Sequence, residues 1–194
     1  QQDGSMTVTE EIRVVCARQQ IKRGIYRDFP TKYKDRYGNT VRVGFEVLEV
    51  LRDGFSEPYH FKELSNGKRV YMGKKEVFLK PGIYTYSITY KTDRQLGFFA
   101  DFDELYWNVT GNGWGFVIEK VEALVELPPG ADILQSAAYT GRFGEKGKDF
   151  TTDYDQYGNI IFTTTRKLMP KEGLTIAVAW PKGFVTEPSR EEKL

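Results

Sequence analysis

The sequence has few of the residues that most enzyme sites need. Its 194 residues include one cysteine, Cys16, and one histidine, His60. A single cysteine excludes an intrachain disulfide and a cysteine-based zinc site, and a single histidine excludes a metal site built from several histidines. The sequence also lacks a Gly-x-Ser-x-Gly elbow, a phosphate loop and a dinucleotide-binding turn. We therefore predict no catalytic residues, no cofactor and no enzymatic activity.

Long apolar runs and an excess of charge of one sign are missing as well. No segment approaches the roughly 20 apolar residues of a membrane-spanning helix, and no charged start followed by an apolar stretch marks a signal peptide. Lysine and arginine total 28 against 27 aspartate and glutamate residues, so nucleic acid is not expected as a partner. From the strand-like opening "QQDGSMTVTEE" and the charged ending "EPSREEKL" we expect a segment excised from a longer protein.

Alternation of apolar and polar residues dominates what is present. In "IYTYSITY" (83–90) three tyrosines and Ile88 fall on one face, as in a strand with one packed face. Asn66-Gly67, between "YHFKEL" and "KRVYMG", predicts a β-hairpin. With turn signals about every dozen residues, we predict an all-β fold. The expected form is an antiparallel β-sandwich, with two β lobes as an open alternative and at most one or two short helical turns.

Proline and glycine place the predicted internal boundary at Pro128-Pro129-Gly130. This makes 1–127 the main β-sandwich region and 128–183 either a second β region or a continuation of the same sandwich. Residues 184–194 are predicted to be a C-terminal linker toward a membrane segment. The pattern Asp-x-Tyr-Gly-Asn occurs at 35–39 and 155–159, and both copies predict tight turns that lead into strands.

Oxygen ligands suggest two weak metal candidates. "DFDE" offers Asp101, Asp103 and Glu104, but the same residues can start a short helix that Asp101 caps and Glu104 completes. "DYDQYGN" (153–159) faintly resembles a calcium loop but lacks its distal glutamate, which favours a hairpin turn. Neither segment supplies a full set of ligands. We therefore predict no metal site.

Aromatic residues indicate one candidate binding surface in "ELYWNVTGNGW" (104–114). Tyr106, Trp107 and Trp114 could form a platform on which sugar rings stack, because flat rings offer a large contact area at low entropic cost. The alternative is a core cluster around a glycine-rich turn. Which of the two holds depends on whether the indoles face inward or toward solvent.

A second candidate lies in "GIYRDFP" (24–30). Arg27 beside Tyr26 could present a guanidinium among aromatic rings to a carboxylate or a sugar. Arg27 could equally form an ion pair with an internal acid. Glu10 is such an acid, since it shares the apolar register of Val8 and Ile12 in the first strand, although a one-residue bulge would also explain its position.

Several motifs together resemble the YciQ-like predicted membrane proteins, a domain family of unknown function. They are "DGSMTVTEEI", "KRGIYRDFP", "LKPGIYTYSITY", "ELYWNVTGNGW", "VEALVELPPG" and "GLTIAVAWPKG", in this order from about residue 3 to 183. The most specific are Trp107–Gly111 with Trp114 after it, and Gly24–Arg27. The resemblance implies a domain outside the cytoplasmic membrane that is followed by transmembrane helices. It transfers no catalytic or ligand-binding residue.

Two functions from different classes follow as hypotheses. The first is a non-enzymatic extracytoplasmic domain of a membrane-anchored cell-envelope protein, which binds a protein, a glycan or its own downstream transmembrane region. The alternative is a carboxylate-driven envelope glycan hydrolase. That enzyme requires two carboxyl groups that face each other across a cleft, at least one of them with a strongly shifted pKa.

Overall fold

The computed structural model describes residues 1–34, 38 and 40–188 and is built from antiparallel strands. Within these residues there are 16 strands and no helix, which confirms the all-β prediction. The strands pair in several separate sheets. The chain divides into two compact units, one of residues 5–94 and one of residues 1–4 with 95–188.

The first unit contains nine strands within the described residues. They are β1 (Met6–Cys16), β2 (Ile25–Pro30), β3 (Lys32–Lys34), β4 (Thr40–Arg42), β5 (Phe45–Arg52), β6 (Phe55–Ser56), β7 (Tyr59–Leu64), β8 (Gly67–Met72) and β9 (Gly82–Thr92). They form a four-stranded sheet in the order β1-β9-β5-β6, a three-stranded sheet β2-β8-β7 and a β3-β4 ribbon. The first Asp-x-Tyr-Gly-Asn turn lies largely outside the described residues.

The long ladder between β1 and β9 supplies much of this unit's core. Its register is continuous from Met6 opposite Thr92 to Cys16 opposite Gly82, so no bulge interrupts β1 in this pairing. Because side chains alternate across a strand, one face of the ladder is buried and the other is exposed. The buried apolar and aromatic side chains are Val14, Cys16, Tyr86, Ile88 and Tyr90. Cys16, which lies in register with Ile12 and Val14, is thus a buried free cysteine.

The sheet β2-β8-β7 contains the hairpin predicted around Asn66-Gly67. Its loop is Ser65-Asn66, and Gly67 is already the first residue of β8. Gly67 lies opposite Pro30 of β2, and a β-carbon at position 67 would lie 2.1 Å from the carbonyl oxygen of Phe29. Glycine is therefore required here for the close approach of two strands.

The second unit contains seven strands within the described residues. They are β10 (Leu96–Phe98), β11 (Phe102–Asn108), β12 (Glu122–Val125), β13 (Gln135–Gly141), β14 (Phe150–Tyr154), β15 (Ile160–Thr164) and β16 (Gly173–Pro181). One sheet has the order β10-β11-β16-β13 and the other the order β12-β15-β14. Their buried side chains include Phe162, Leu174, Ile176 and Val178.

Three of the local predictions concern residues of this second unit. The prediction of a helical turn capped by Asp101 is wrong, because Phe102–Asn108 is strand β11, which pairs with β10 on one side and β16 on the other. Alternating side chains and two ladders outweigh a local capping signal there. The second Asp-x-Tyr-Gly-Asn segment is the predicted hairpin turn, between β14 and β15. The 128–130 segment connects β12 to β13 inside this unit, whereas the chain divides at 94/95.

Candidate functional site

Three aromatic rings lie in one row across the sheet β2-β8-β7. Tyr26 of β2 is directly opposite Tyr71 of β8, and Tyr71 is directly opposite His60 of β7. The His60 and Tyr71 rings are stacked at a centroid distance of 4.9 Å and an interplanar angle of 7°, and the Tyr26 and Tyr71 rings are 5.6 Å apart. Tyr26 is 47% exposed, and the other two are half-buried. We call this set the ring row.

An arginine and an aspartate extend the ring row on the same face. Arg69 donates from Nε and Nη2 to the two carboxylate oxygens of Asp28, at 2.6 and 2.8 Å. Its guanidinium carbon lies 4.0 Å from the centre of the Tyr26 ring, and its Nη1 lies 3.4 Å from the Tyr71 hydroxyl. These hydrogen bonds raise the pKa of Arg69 above its ordinary value. The guanidinium is therefore held over the Tyr26 ring and next to the Tyr71 hydroxyl.

Positive charge exceeds negative charge on this face. Tyr26 and Asp28 alternate with buried residues of β2 and so point outward, as do Arg69 and Tyr71 of β8. Lys62 lies opposite Arg69 on β7 and is exposed. The outer face thus carries two cations, one carboxylate and three rings, one of which is the His60 imidazole. Such a surface can stack on a flat ligand and pair with a carboxylate.

Arg27, the neighbour of Tyr26, points the other way. It is 8% exposed and donates from Nε and Nη2 to the two carboxylate oxygens of Glu10, at 2.6 and 2.9 Å. The Tyr90 hydroxyl donates to the same Glu10 carboxylate at 3.1 Å. Of the two alternatives for Arg27, the structure has the internal ion pair. The site candidate in "GIYRDFP" therefore keeps Tyr26 on the outer face and has Arg27 in the interior.

The other predicted platform is not assembled as one surface. Tyr106 and Trp107 are neighbours on β11, so their side chains lie on opposite faces of the strand. Tyr106 is 59% exposed, whereas Trp107 is half-buried. Trp114 is also half-buried, donates from Nε1 to the Thr110 carbonyl at 3.0 Å and packs against Phe116. Its ring serves to hold the glycine-rich turn.

The carboxylates of "DFDE" do not converge either. Asp103 is fully buried and accepts from Lys182 Nζ at 2.6 Å, while Asp101 is exposed and Glu104 lies on the other face of β11. The hydrogen bond from Lys182 to Asp103 raises the pKa of Lys182 above its ordinary value. Across the described ranges, no group of three or more histidine, cysteine, aspartate or glutamate residues is placed to hold a metal ion.

Sequence patterns missed three members of the site: His60, Arg69 and Tyr71. A hairpin loop at Asn66-Gly67 would place His60 opposite Gly73, whereas the observed loop at Ser65-Asn66 places His60 opposite Tyr71. The available signal was the alternation in "KRVYM", which separates Arg69 and Tyr71 from Val70 and Met72. The register that joins the three rings depends on contacts between strands distant in sequence.

Comparison with known proteins identifies the family of the chain. The family model described as "Predicted membrane protein (DUF2207) N-terminal domain" matches residues 1–180. The chain belongs to this family. It is also 30% identical over 191 residues to the uncharacterized protein YciQ of Escherichia coli strain K12, a match that covers 97% of this chain and 30% of that protein. No solved structure matches the chain.

The DUF2207 match concerns one domain of a longer relative. The chain spans about a third of the length of the relative it matches, and the family is one of predicted membrane proteins of unknown function. In the part of the chain that the structure describes, no helix has the length and apolar character needed to cross a bilayer.

Proposed function

We propose that this chain is a non-enzymatic, extracytoplasmic domain of a membrane-anchored envelope protein, and that it binds an acidic glycan on the outer face of β2-β8-β7. The observation that carries the proposal is the ring row beside Arg69. Sugar rings pack their apolar faces on aromatic side chains, and a planar guanidinium suits a carboxylate. Lys62 adds a second cation at the same surface.

The charge on the face favours an acidic sugar over a neutral one. Asp28 already pairs with Arg69 through both oxygens, so its charge is offset within the site. Lys62 then leaves the face with a net positive charge. A muramic acid unit combines a sugar ring with a carboxylate and therefore fits both halves of the surface.

The behaviour of the carboxyl groups supports binding in preference to hydrolysis. A glycan hydrolase needs a general acid whose pKa is raised. Hydrogen bonds lower the pKa values of Asp149, Asp155 and Glu172 below their ordinary range, the opposite of what a general acid needs. Such groups stay ionised and accept hydrogen bonds from the protein.

The test compares two disaccharides on two variants. The acidic probe is N-acetylglucosaminyl-N-acetylmuramic acid and the neutral probe is N,N′-diacetylchitobiose, which has no carboxylate and no free amine. We expect the acidic probe to bind more tightly, and Tyr26→Ala to weaken that binding by about tenfold, as for an anchoring aromatic residue. Tyr106→Ala is the matched control, because Tyr106 is an exposed strand tyrosine of the other unit.

Two outcomes would reject the proposal. One is equal affinity for the acidic and the neutral disaccharide, which would remove the role of Arg69 and Lys62. The other is an equal loss of binding in Tyr26→Ala and Tyr106→Ala. Hydrolysis of either disaccharide by the wild-type chain would favour the enzymatic alternative.

A further inference from the structure

Two segments of the 5–94 unit meet at the end of β1. They are residues 17–24, between β1 and β2, and residues 73–81, between β8 and β9. Leu79 N donates to the Lys22 carbonyl and Arg18 Nε donates to the Leu79 carbonyl, both at 2.9 Å. Val15 and Ile83 are a cross-strand pair beside these segments. We call the two segments with Val15 and Ile83 the basic end.

The basic end concentrates positive charge. It contains six cations and a single acid, Glu76, so its net charge is five positive, although the whole chain has a formal net charge of only +1. All six cations are exposed, and among the described residues none of them takes part in an ion pair. They are Arg18, Lys22, Arg23, Lys74, Lys75 and Lys80.

Exposed apolar side chains also belong to the basic end. Val15 is 70% exposed, Ile83 56%, Phe78 53% and Val77 47%. The Arg23 guanidinium lies 4.2 Å from the centre of the Phe78 ring, so charged and apolar groups are interleaved. A single exposed apolar residue is ordinary on a protein surface. Val77 and Phe78 on the segments, with Val15 and Ile83 in the adjoining strands, give the basic end an amphipathic character.

We propose that the basic end docks on a bilayer surface that contains anionic phospholipid, with Val77 and Phe78 entering the headgroup region. Charge complementarity selects the partner, because lysine and arginine near an anionic leaflet each strengthen binding and apolar tips add to it. Lysine stems can also extend their charged ends toward the headgroups. A polyanion without an apolar layer would use the cations and leave Val77 and Phe78 in water.

This inference is independent of the proposed glycan binding. The ring row lies on the outer face of a sheet, whereas the basic end is made of connecting segments. Glycan binding can fail while vesicle binding holds, and the reverse. Each has its own probe and its own variants.

The first experiment is cosedimentation of the 194-residue chain with lipid vesicles. We expect binding to equimolar phosphatidylglycerol and phosphatidylcholine, weakening with added salt, and little binding to phosphatidylcholine alone. Lys74→Gln with Lys75→Gln removes two cations, each contributing roughly fivefold, and so lowers affinity at least tenfold. Lys146→Gln with Lys148→Gln removes the same charge from exposed positions of the other unit and leaves binding unchanged.

The second experiment tests whether the apolar tip enters the bilayer. The indole introduced by Phe78→Trp is quenched by brominated phospholipid beyond the level seen for the wild-type chain. Phe143→Trp is the control, because Phe143 is 92% exposed and lies in the other unit. The proposal is overturned by equal binding to both vesicle types, by equal losses in the two double-lysine variants, or by equal quenching at positions 78 and 143.

Discussion

Arg27 and Arg69 make nearly the same contacts on opposite faces of one sheet. Arg27 pairs through two nitrogens with Glu10, and Arg69 pairs through two nitrogens with Asp28. A tyrosine hydroxyl completes each group, Tyr90 inside and Tyr71 outside. The side chains of the inner pair are 9% and 12% exposed, against 24% and 42% for the outer pair. The two ion pairs therefore differ mainly in how far their side chains are buried.

This difference assigns the two pairs different tasks. Burial alone would lower the pKa of Arg27, but the charge and hydrogen bonds of Glu10 outweigh it and raise that pKa above its ordinary value. Removing one partner of a buried pair leaves the other charge without compensation, whereas an exposed pair is screened by water. We infer that the inner pair holds the unit together and the outer pair is available to a ligand.

The largest expected effect comes from breaking the inner pair. Glu10→Gln leaves the buried Arg27 guanidinium without its carboxylate and lowers the free energy of unfolding by about 3–5 kcal/mol. Urea denaturation followed by far-ultraviolet circular dichroism measures the change. A loss below about 1 kcal/mol would place the Arg27 pair among ordinary surface ion pairs and contradict the comparison.

The next effect concerns binding at the outer pair. Arg69→Lys keeps the charge but removes the planar donors that face Asp28 and the stacking on Tyr26, so binding of the acidic disaccharide should weaken about tenfold. Isothermal titration calorimetry gives the affinity. Arg166→Lys is the matched control, because Arg166 also pairs with carboxylates, Asp149 and Glu172, at the surface of the other unit. Equal losses in both variants would show that the effect is not local.

The stability of the unit at alkaline pH should depend on Tyr90, the tyrosine of the inner pair. Burial first, and the Glu10 charge second, raise the pKa of Tyr90, and burial raises the pKa of Tyr86 to about 12. A raised folded pKa contributes stability below the unfolded value of about 10 and loses it as pH rises further. Tyr90→Phe should therefore make the fall in unfolding free energy above pH ~10 shallower. An unchanged slope in urea titrations would contradict this assignment.

The smallest effect is expected for the outer carboxylate. Asp28→Asn weakens an exposed ion pair, so the free energy of unfolding should change by less than about 1 kcal/mol. The measurement is the same urea denaturation that is used for Glu10→Gln. A loss as large as the one at Glu10 would mean that both faces of the sheet are structural.

The strands were more predictable than the site. The alternation of apolar and polar residues in β1 and β9 is a local signal, and the structure confirms both strands. The same alternation puts Glu10 on the apolar face of β1 from the sequence alone. The ring row depends on register, and a shift of the hairpin loop by one residue changes which residue lies opposite His60. In β11 the local sequence pattern favoured a helical turn, but pairing with strands on both sides makes the segment a strand. Pairing between strands distant in sequence determines both the register of the ring row and the strand conformation of β11.

If the outer face of β2-β8-β7 binds the acidic disaccharide, the residues of that face should respond to the ligand. The most direct measurement is an NMR titration of the isotope-labelled chain with N-acetylglucosaminyl-N-acetylmuramic acid. We predict that the amide signals of Tyr26, His60, Arg69 and Tyr71 shift with a common affinity, while that of Tyr106 in the other unit changes little. Saturable shifts elsewhere with none in the ring row, or no shifts at all, would contradict it.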